Sequence, residues 1–375
     1  MNLHLSFHTI ITLAYTIPNI YLFFRIWQLF IGIGFKTLYS IIYFLFAMVY
    51  PVSNLFSDMN ASAAAFTFLA GYLLPFYLYL FLSVLIIDIF LLLNLVFKII
   101  PSGKLKSSRV RKISLISIFS LSLAVVVAGI INFNTIRTSE YRIEIPRRSS
   151  QLSHLRIAFA ADFHLQERTG IHFVKRFVAK INETDPDIMI FGGDIIEGDR
   201  DDGSIREYES VLSEIQPEYG VYGVLGNHEY YSGQDKGSFF EKAGMEILCD
   251  TAIIIDGAFT LAGRYDSHFT KRKTVSDLLS SSPDSLPVIL VDHRPTEIDE
   301  VSLSKADIQL SGHTHNGQLF PINLITRKVY QLSWGHMKKG NTHFFVTSGI
   351  RLWGPPVRTT GKSEIMVIDI EFTPK

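Results

Sequence analysis

The sequence predicts two unlike bodies in tandem: an α-helical membrane domain of about four spans over residues 1–136, then an α/β domain over residues 137–375. Three observations predict this. Long uncharged apolar runs fill the first third of the chain. The charge is partitioned: residues 1–135 hold two acids and eight bases, a net of +6, against 33 acids and 27 bases beyond, a net of −6. After residue 137, short apolar runs recur and each ends abruptly in polar residues.

Composition excludes several classes. At 375 residues the chain is too long for one ordinary domain and short for three. The 35 Lys+Arg balance 35 Asp+Glu, so no global field attracts nucleic acid, and no nucleic-acid partner is expected. A 48% apolar share with only 19% charged residues excludes a disordered chain. The single cysteine, Cys249, excludes an internal disulfide framework, a Cys-rich zinc site and an iron–sulfur cluster.

Leu3–Phe24, Thr37–Ser57 and Ile113–Ile136 each run 21 residues or more without Asp, Glu, Lys or Arg, and about 20 such residues span a hydrocarbon core. Ala61–Ile100 is longer. Forty helical residues extend about 60 Å, twice the roughly 30 Å core. A hairpin turning near Gly71–Pro75 would leave a first leg too short to cross, so one span at about Tyr72–Phe97 is expected, entered through an interfacial stretch. A cleavable signal peptide at the start is less consistent, because it lacks a basic n-region and three spans follow.

The eight bases lie in the loops after the first and third helices, and the loop around Asp58 has none. Positive loops face the cytoplasm. This predicts an integral protein of the inner (cytoplasmic) membrane with its C-terminal domain extracytoplasmic, although Arg137, Arg142, Arg147 and Arg148 pull the other way. Asp88 and Asn94 inside the third span are expected to make helix–helix hydrogen bonds rather than a relay.

In the second body, Tyr141, Ile143 and Ile145 alternate with Arg142 and Glu144, as in a strand with one wet face. Arg156–Ala161 leads to Asp162-Phe163-His164, and Ile188–Phe191 to Gly192-Gly193-Asp194. Val221–Leu225 leads to Gly226-Asn227-His228-Glu229, Val288–Val291 to Asp292-His293, and Ile308–Leu310 to Ser311-Gly312-His313-Thr314-His315. Between the first two, Val174, Phe177, Val178 and Ile181 recur at helical spacing before an Asp185-Pro186-Asp187 stop. Strands alternating with helices give an α/β sheet whose ligand sites lie outside the strand ends.

Taken singly, each motif has an ordinary explanation. A strand-end Asp caps a helix, and Asn-His makes a turn. His-x-His places two rings on one strand face, with or without a metal. Five strand ends carrying His, Asp and Asn in this order are a different matter. The set resembles the calcineurin-like metallophosphoesterases over about residues 140–372. Gly312-His-Thr-His-Asn-Gly-Gln318 and Thr347–Arg358 resemble the subgroup that includes membrane-anchored bacterial members, apart from Arg351, where a small residue is usual.

The resemblance implies a four-layer α/β/β/α metallo-dependent phosphatase-like fold and two divalent metal ions. Asp162, His164, Asp194 and His315 would hold one, and Asp194, Asn227, His293 and His313 the other. Nitrogen and oxygen ligands without thiolate suit Mn, Fe, Zn or Co. His228 would stabilise the transferring phosphoryl group or protonate the leaving oxygen. Glu197 would orient it and raise its pKa, unless it only makes a turn hydrogen bond at Gly198.

Arg264 and Arg358 are candidate substrate-binding groups, with Lys271 and Arg272, although Lys271-Arg272-Lys273 also reads as a solvated face. Leu319–Trp334 is either an apolar wall for a lipid or the bilayer, or ordinary core. Ser276–Ser285 reads as a surface loop, and His154, His172, His268, His336 and His343 as structural. The expected function is a membrane-anchored phosphoesterase acting on a phosphorylated substrate, with a lipid-linked or envelope substrate favoured by the anchor, by metal-activated hydroxide. The alternatives are a hydrolase like the UDP-diacylglucosamine pyrophosphatases of lipid A synthesis and a non-catalytic membrane receptor or scaffold.

Overall fold

The structure, a computed structural model, describes residues 3–55, 61–148, 150–166, 169–197, 203–232 and 237–374. The chain divides into two compact units, Met1–Ile131 with Gly354–Thr359, and Asn132–Trp353 with Thr360–Lys375.

The first unit is helical: α1 (Leu3–Leu29), α2 (Lys36–Asn54), α3 (Ala61–Gly71), α4 (Leu73–Phe97), a single turn α5 (Ser102–Leu105) and α6 (Ser108–Asn134), which carries the chain out of it. Among the described residues, Ile33–Ser53, Ala65–Phe97 and Ser108–Asn134 are long and apolar enough to cross a membrane. The 27-residue α1 adds a fourth long helix. The expected break in the forty-residue apolar run falls at Tyr72, between α3 and α4. The loop around Asp58 lies outside the described residues.

Buried tyrosine hydroxyls in this unit find backbone carbonyls, as apolar surroundings require. Tyr15 donates to the Ala47 carbonyl at 2.7 Å, Tyr39 to Phe23 at 3.0 Å and Tyr43 to Asn19 at 2.9 Å. Asp88 of α4 does join two helices, and its partner is an ion. The Arg25 guanidinium of α1 forks onto it, with Nε 2.8 Å from Oδ2, and the Tyr21 hydroxyl donates to the same oxygen. Arg25 is thus a helix residue neutralised by an acid, and its count as a loop base is corrected. Among the described residues, Asn94 bridges no helices. Its side chain bonds the N–H and carbonyl of Ile100 at 2.7 and 3.0 Å, closing the end of its own helix.

The second unit holds two six-stranded sheets. The first runs in the order β1 (Ile136–Pro146), β12 (Ser363–Thr373), β2 (His154–Ala160), β3 (Ile188–Phe191), β4 (Val221–Gly223), β5 (Glu246–Ile247). The second runs β10 (Gly335–Lys339), β11 (Thr342–Val346), β9 (Ile308–Ser311), β8 (Val288–Val291), β7 (Phe259–Gly263), β6 (Thr251–Ile255). β2 to β5 are mutually parallel, as are β7, β8, β9 and β11.

The apolar runs are buried on both faces, which is why they read as continuous rather than alternating. Leu155, Ile157, Phe159, Ile188 and Ile190 face Phe259, Leu261, Ile289, Val291 and Leu310 between the sheets. Ala158, Met189 and Phe191 pack outward in one core with Phe177 of α7 (Ile171–Glu183) and Tyr208 of α8 (Gly203–Leu212). On the far side Ala262, Val288 and Leu290 pack with α11 (Val275–Leu279) and α12 (Ile298–Ser302). This is the expected α/β/β/α stack. The remaining helices are α9 (Asn227–Ser232), α10 (Gly237–Lys242) and α13 (Ile322–Val329).

One expectation is corrected. Ser276–Ser285 opens as part of α11 rather than as loop, because Thr274 caps that helix by accepting the Asp277 N–H at 3.1 Å. In the helical unit, Asp88→Leu should lower the unfolding midpoint in detergent by leaving Arg25 uncompensated, at a cost of about 2 kcal/mol. Adding Arg25→Leu should recover much of that loss. A double variant no better than the single one would show that the pair does not couple α1 to α4.

Candidate metal centre

Parallel strands deliver their C-terminal ends to one edge, and the two sheets bring five such ends together. Asp162 and His164 follow β2, Asp194 follows β3, and Asn227 and His228 open α9 just after β4. His293 follows β8, and His313 and His315 follow β9. Asp162, His164, Asp194, His313 and His315 all have positive φ, between 46° and 69°. That conformation is costly for residues with a Cβ. Cross-strand bonds hold it: the Asp162 N–H donates to Gly193 and the His164 N–H to Asp194, both at 2.9 Å, and the Gly312 N–H donates to His293 at 2.8 Å. A methyl group on Gly226 would collide with the Asp194 carboxylate, and one on Gly312 with Asp162. Glycine is needed at both turns for close approach.

The ligand atoms converge in three groups: Asp162, His164 and His315; Asp194, His293 and His313; and His164, Asp194 and His228, with the atoms of each group within 4.8 Å of one another. His293 Nε2 lies 3.2 Å from Asp194 Oδ2, and His164 Nε2 lies 4.0 Å from the same oxygen. Both imidazole nitrogens are buried without a hydrogen-bond partner among the described residues. His293 Nδ1 is 2.7 Å from the Gly192 carbonyl. That acceptor fixes the proton on Nδ1 and turns the Nε2 lone pair toward Asp194. Buried imidazole nitrogens aimed at a shared carboxylate fit divalent metal ions.

The electrostatics follow from burial. Burial pushes the Asp162 carboxyl up to about 6. Burial opposes the charge on Asp194 too, but His293 and His164 overcome it and hold Asp194 well below the usual carboxylate range. Burial, with the nearby charges of His293 and Arg294, outweighs Asp194 and Asp266 at His313 and drops it to about 3, a neutral imidazole suited to ligation. Backbone amides orient both acids: His228 N–H to Asp194 Oδ1 at 2.8 Å, and His313 N–H to both Asp162 oxygens at 3.0 Å.

Glu197 stands between two imidazoles, 3.6 Å from His228 Nδ1 and 3.5 Å from His164 Nδ1. Glu197 does raise the His228 pKa, as expected, but the net shift is downward. Burial is the larger effect, and it lowers the His228 pKa despite Asp194 and Glu197. Gly198, the alternative partner of Glu197, lies outside the described residues.

The candidate substrate arginines do not join the cluster. Arg264 is buried and hydrogen-bonded to Asp292, Glu297 and the Lys273 carbonyl. Arg272 shares both of those acids, so it is a network residue and not a solvated face. Arg358 is fully buried in the first unit, its N–H donating to Gly129 at 3.0 Å. Arg351 is held over the rings of Phe133 and Phe173 at 4.7 and 4.6 Å.

Two contributors escaped the sequence reading. Glu229 is buried and accepts the N–H groups of Asp194, Ile195, Ile196 and Gly226, at 2.6–3.0 Å, tying the β3 turn to the β4 turn. Its place in Gly226-Asn227-His228-Glu229 was the available signal. Arg294 directly follows His293 and has Nη2 3.2 Å from Asn227 Oδ1. His268, expected to be structural only, is bonded to Asp266 beside Arg294.

Residues 155–317 match the family model described as calcineurin-like phosphoesterase, a span that contains all seven candidate metal ligands. An uncharacterized metallophosphoesterase of Campylobacter jejuni is 28% identical over 98% of both chains. A Helicobacter pylori relative of the same description is 32% identical over 56% of this chain and 58% of its own. A zebrafish (Danio rerio) transmembrane protein with metallophosphoesterase domain is 29% identical over 60% of this chain and 55% of its own.

Glu229→Gln replaces an acceptor of the Asp194 turn with an amide donor. Manganese affinity, followed by titration of the full chain, should fall about 10- to 100-fold. Unchanged affinity would show that Glu229 has no part in shaping the site.

Proposed function

Because the chain carries a calcineurin-like phosphoesterase domain, we propose that it is a membrane-anchored, metal-dependent hydrolase of phosphoester or diphosphate bonds that acts on a lipid-linked or envelope substrate. The observation that carries this reading is the convergence of three His/Asp groups, two of which share the buried Asp194 carboxylate. Asp162, His164, Asp194 and His315 would hold one divalent ion and Asp194, Asn227, His293 and His313 the other, with Asp194 shared. Bound there, Mn, Fe, Zn or Co supplies Lewis acidity toward phosphoryl oxygens and brings the pKa of water toward about 7.

The protein's own groups do the rest. Glycine turns and the Glu229 carboxylate fix where the ligands stand. His228 has an open side, its side chain 21% exposed against 1% for His164 and 0% for His293. That places it to give a proton to the leaving oxygen. Glu197 restrains its ring from behind.

A lipid-linked substrate is favoured by the segment after the last ligands. Phe320, Ile322, Leu324, Ile325 and Val329 are all exposed, on and beside α13, with Arg327 and Lys328 exposed among them. Solvent-facing apolar side chains flanked by bases suit acyl chains next to anionic headgroups. The extracytoplasmic placement of the catalytic domain rests on the bases flanking the apolar runs that remain after Arg25 is removed, Lys36 and the group from Lys98 to Lys112.

Purified full-length protein, chelated and resupplied with Mn, Zn or Co, should hydrolyse phosphoesters in a metal-dependent way. Asp194→Asn should lose at least about 100-fold in turnover. Turnover indifferent to chelation would overturn the enzyme assignment. Ile325→Glu should depress hydrolysis of a phospholipid in mixed micelles more than that of a soluble nucleotide. Wild-type enzyme that cleaves soluble nucleotides far faster than lipid substrates would remove the lipid-linked part.

A further inference from the structure

We propose that Arg294, with His268 and Tyr231, forms an anion subsite for a second phosphate joined to the scissile one, so that the preferred substrate is a diphosphate ester. This refines the substrate of the site described above and rests on its reading as a phosphoesterase.

The subsite is built on Asp266, which is fully buried. Its Oδ2 accepts from Arg294 Nε at 2.8 Å, and its Oδ1 accepts from the His268 backbone N–H at 3.0 Å and lies 2.6 Å from His268 Nδ1. The far nitrogen of that ring, Nε2, is 2.8 Å from the Tyr231 hydroxyl. These contacts settle the tautomer. Nδ1 carries the proton and gives it to Asp266, and Nε2 accepts from Tyr231. Arg294 Nη2 also lies 3.0 Å from Nδ1. With that nitrogen already a donor, the guanidinium gains no acceptor there. Its other Nη2 neighbour is Asn227 Oδ1 at 3.2 Å, an oxygen expected to ligate metal. Tyr231 is a further side-chain hydrogen-bond partner of Arg294. Asp266 therefore fixes the guanidinium in place with its remaining donors toward Asn227 and Tyr231, on the side of the site.

Its direction selects the ligand. Tyr231 lies one helical turn after Asn227 in α9, and its ring centre is 6.0 Å from that of His228. The row Arg294–His268–Tyr231 thus runs from a metal ligand to the group placed to protonate the leaving oxygen. A cationic fork on that side suits a leaving group that is itself a phosphate. A simple alcohol leaving group offers it nothing. Hydrolysis adds water across the P–O–P bridge. A new O–P bond forms at one phosphorus and the bridging bond breaks with its electron pair staying on the leaving phosphate. Each phosphate product ends with one of the water hydrogens.

The test uses the full-length manganese-loaded protein with ADP-ribose as diphosphate diester and bis(p-nitrophenyl) phosphate as plain diester. Wild type should favour the diphosphate in kcat/KM, and methylenediphosphonate should inhibit more tightly than inorganic phosphate. In Arg294→Gln, Arg294→Lys and Asp266→Asn, the diphosphate-to-diester ratio should fall at least about 10-fold, and the preference for methylenediphosphonate should shrink with it. A variant that depresses both substrates equally would show that Arg294 serves the scissile phosphoryl group, and the proposal fails. It also fails if wild type shows neither preference, a measurement that needs no variant to fold. Metal-independent or absent turnover of every ester removes the phosphoesterase reading itself, and this one with it.

Discussion

The second unit is organised around one ion, the Asp194 carboxylate. It is almost fully buried, and a carboxylate in such a place is unfavourable by several kcal/mol unless charge and donors surround it. The chain supplies them from four directions. His293 comes from β8, His164 from β2 and His313 from β9, while the His228 backbone amide donates to Oδ1 from α9. Those elements come from both sheets, so the position of one ion depends on how the sheets close on each other.

Satisfying that ion constrains the backbone. Five candidate ligand residues take left-handed φ, and each such residue is tolerated only where surrounding bonds over-determine it. Glu229 is the strongest of these constraints. One carboxylate gathers four amides from the turns after β3 and β4, so the two turns cannot shift independently. The glycines at 226 and 312 are the complement, since any side chain there would displace the acids they approach. Strain and close approach are concentrated where the proposed chemistry is, and the sheets behind are regular.

Much of this was legible in the sequence because local order carries it. An apolar run followed at once by His, Asp or Asn places the side chain at a strand end, and parallel strands make the ends converge. The strands from β2 to β4, β8 and β9 and the convergence of their polar ends follow from that rule, helical spacing gives α7, and the assignment of ligands came from the family resemblance. What was not legible depends on distant pairing. Arg25 looked like a loop base until α1 extended past it and met Asp88, 63 residues away. Asn94 bonds six residues along its own chain instead of across helices, a choice set by where α4 ends. Arg264 and Arg272 looked available because nothing nearby in sequence announces Asp292 and Glu297 as their partners.

Arg264, Arg272 and Arg294, all near this cluster, differ in one respect that decides their use. Arg264 and Arg272 share two acids, Asp292 and Glu297, so two guanidiniums and two carboxylates close into a neutral network just behind His293. Such a network braces the end of β8 and commits Nη donors of both arginines to carboxylates, whereas Arg294 gives Asp266 its Nε alone. Arg294, on the other side of His293, shares the single Asp266 carboxylate with His268, and His268 has already taken one of its oxygens. Sequence composition cannot separate the three, because each is an arginine a few residues from a histidine. The number of carboxylates held in common separates them, and it points to Arg294 as the arginine with donor capacity toward an incoming anion.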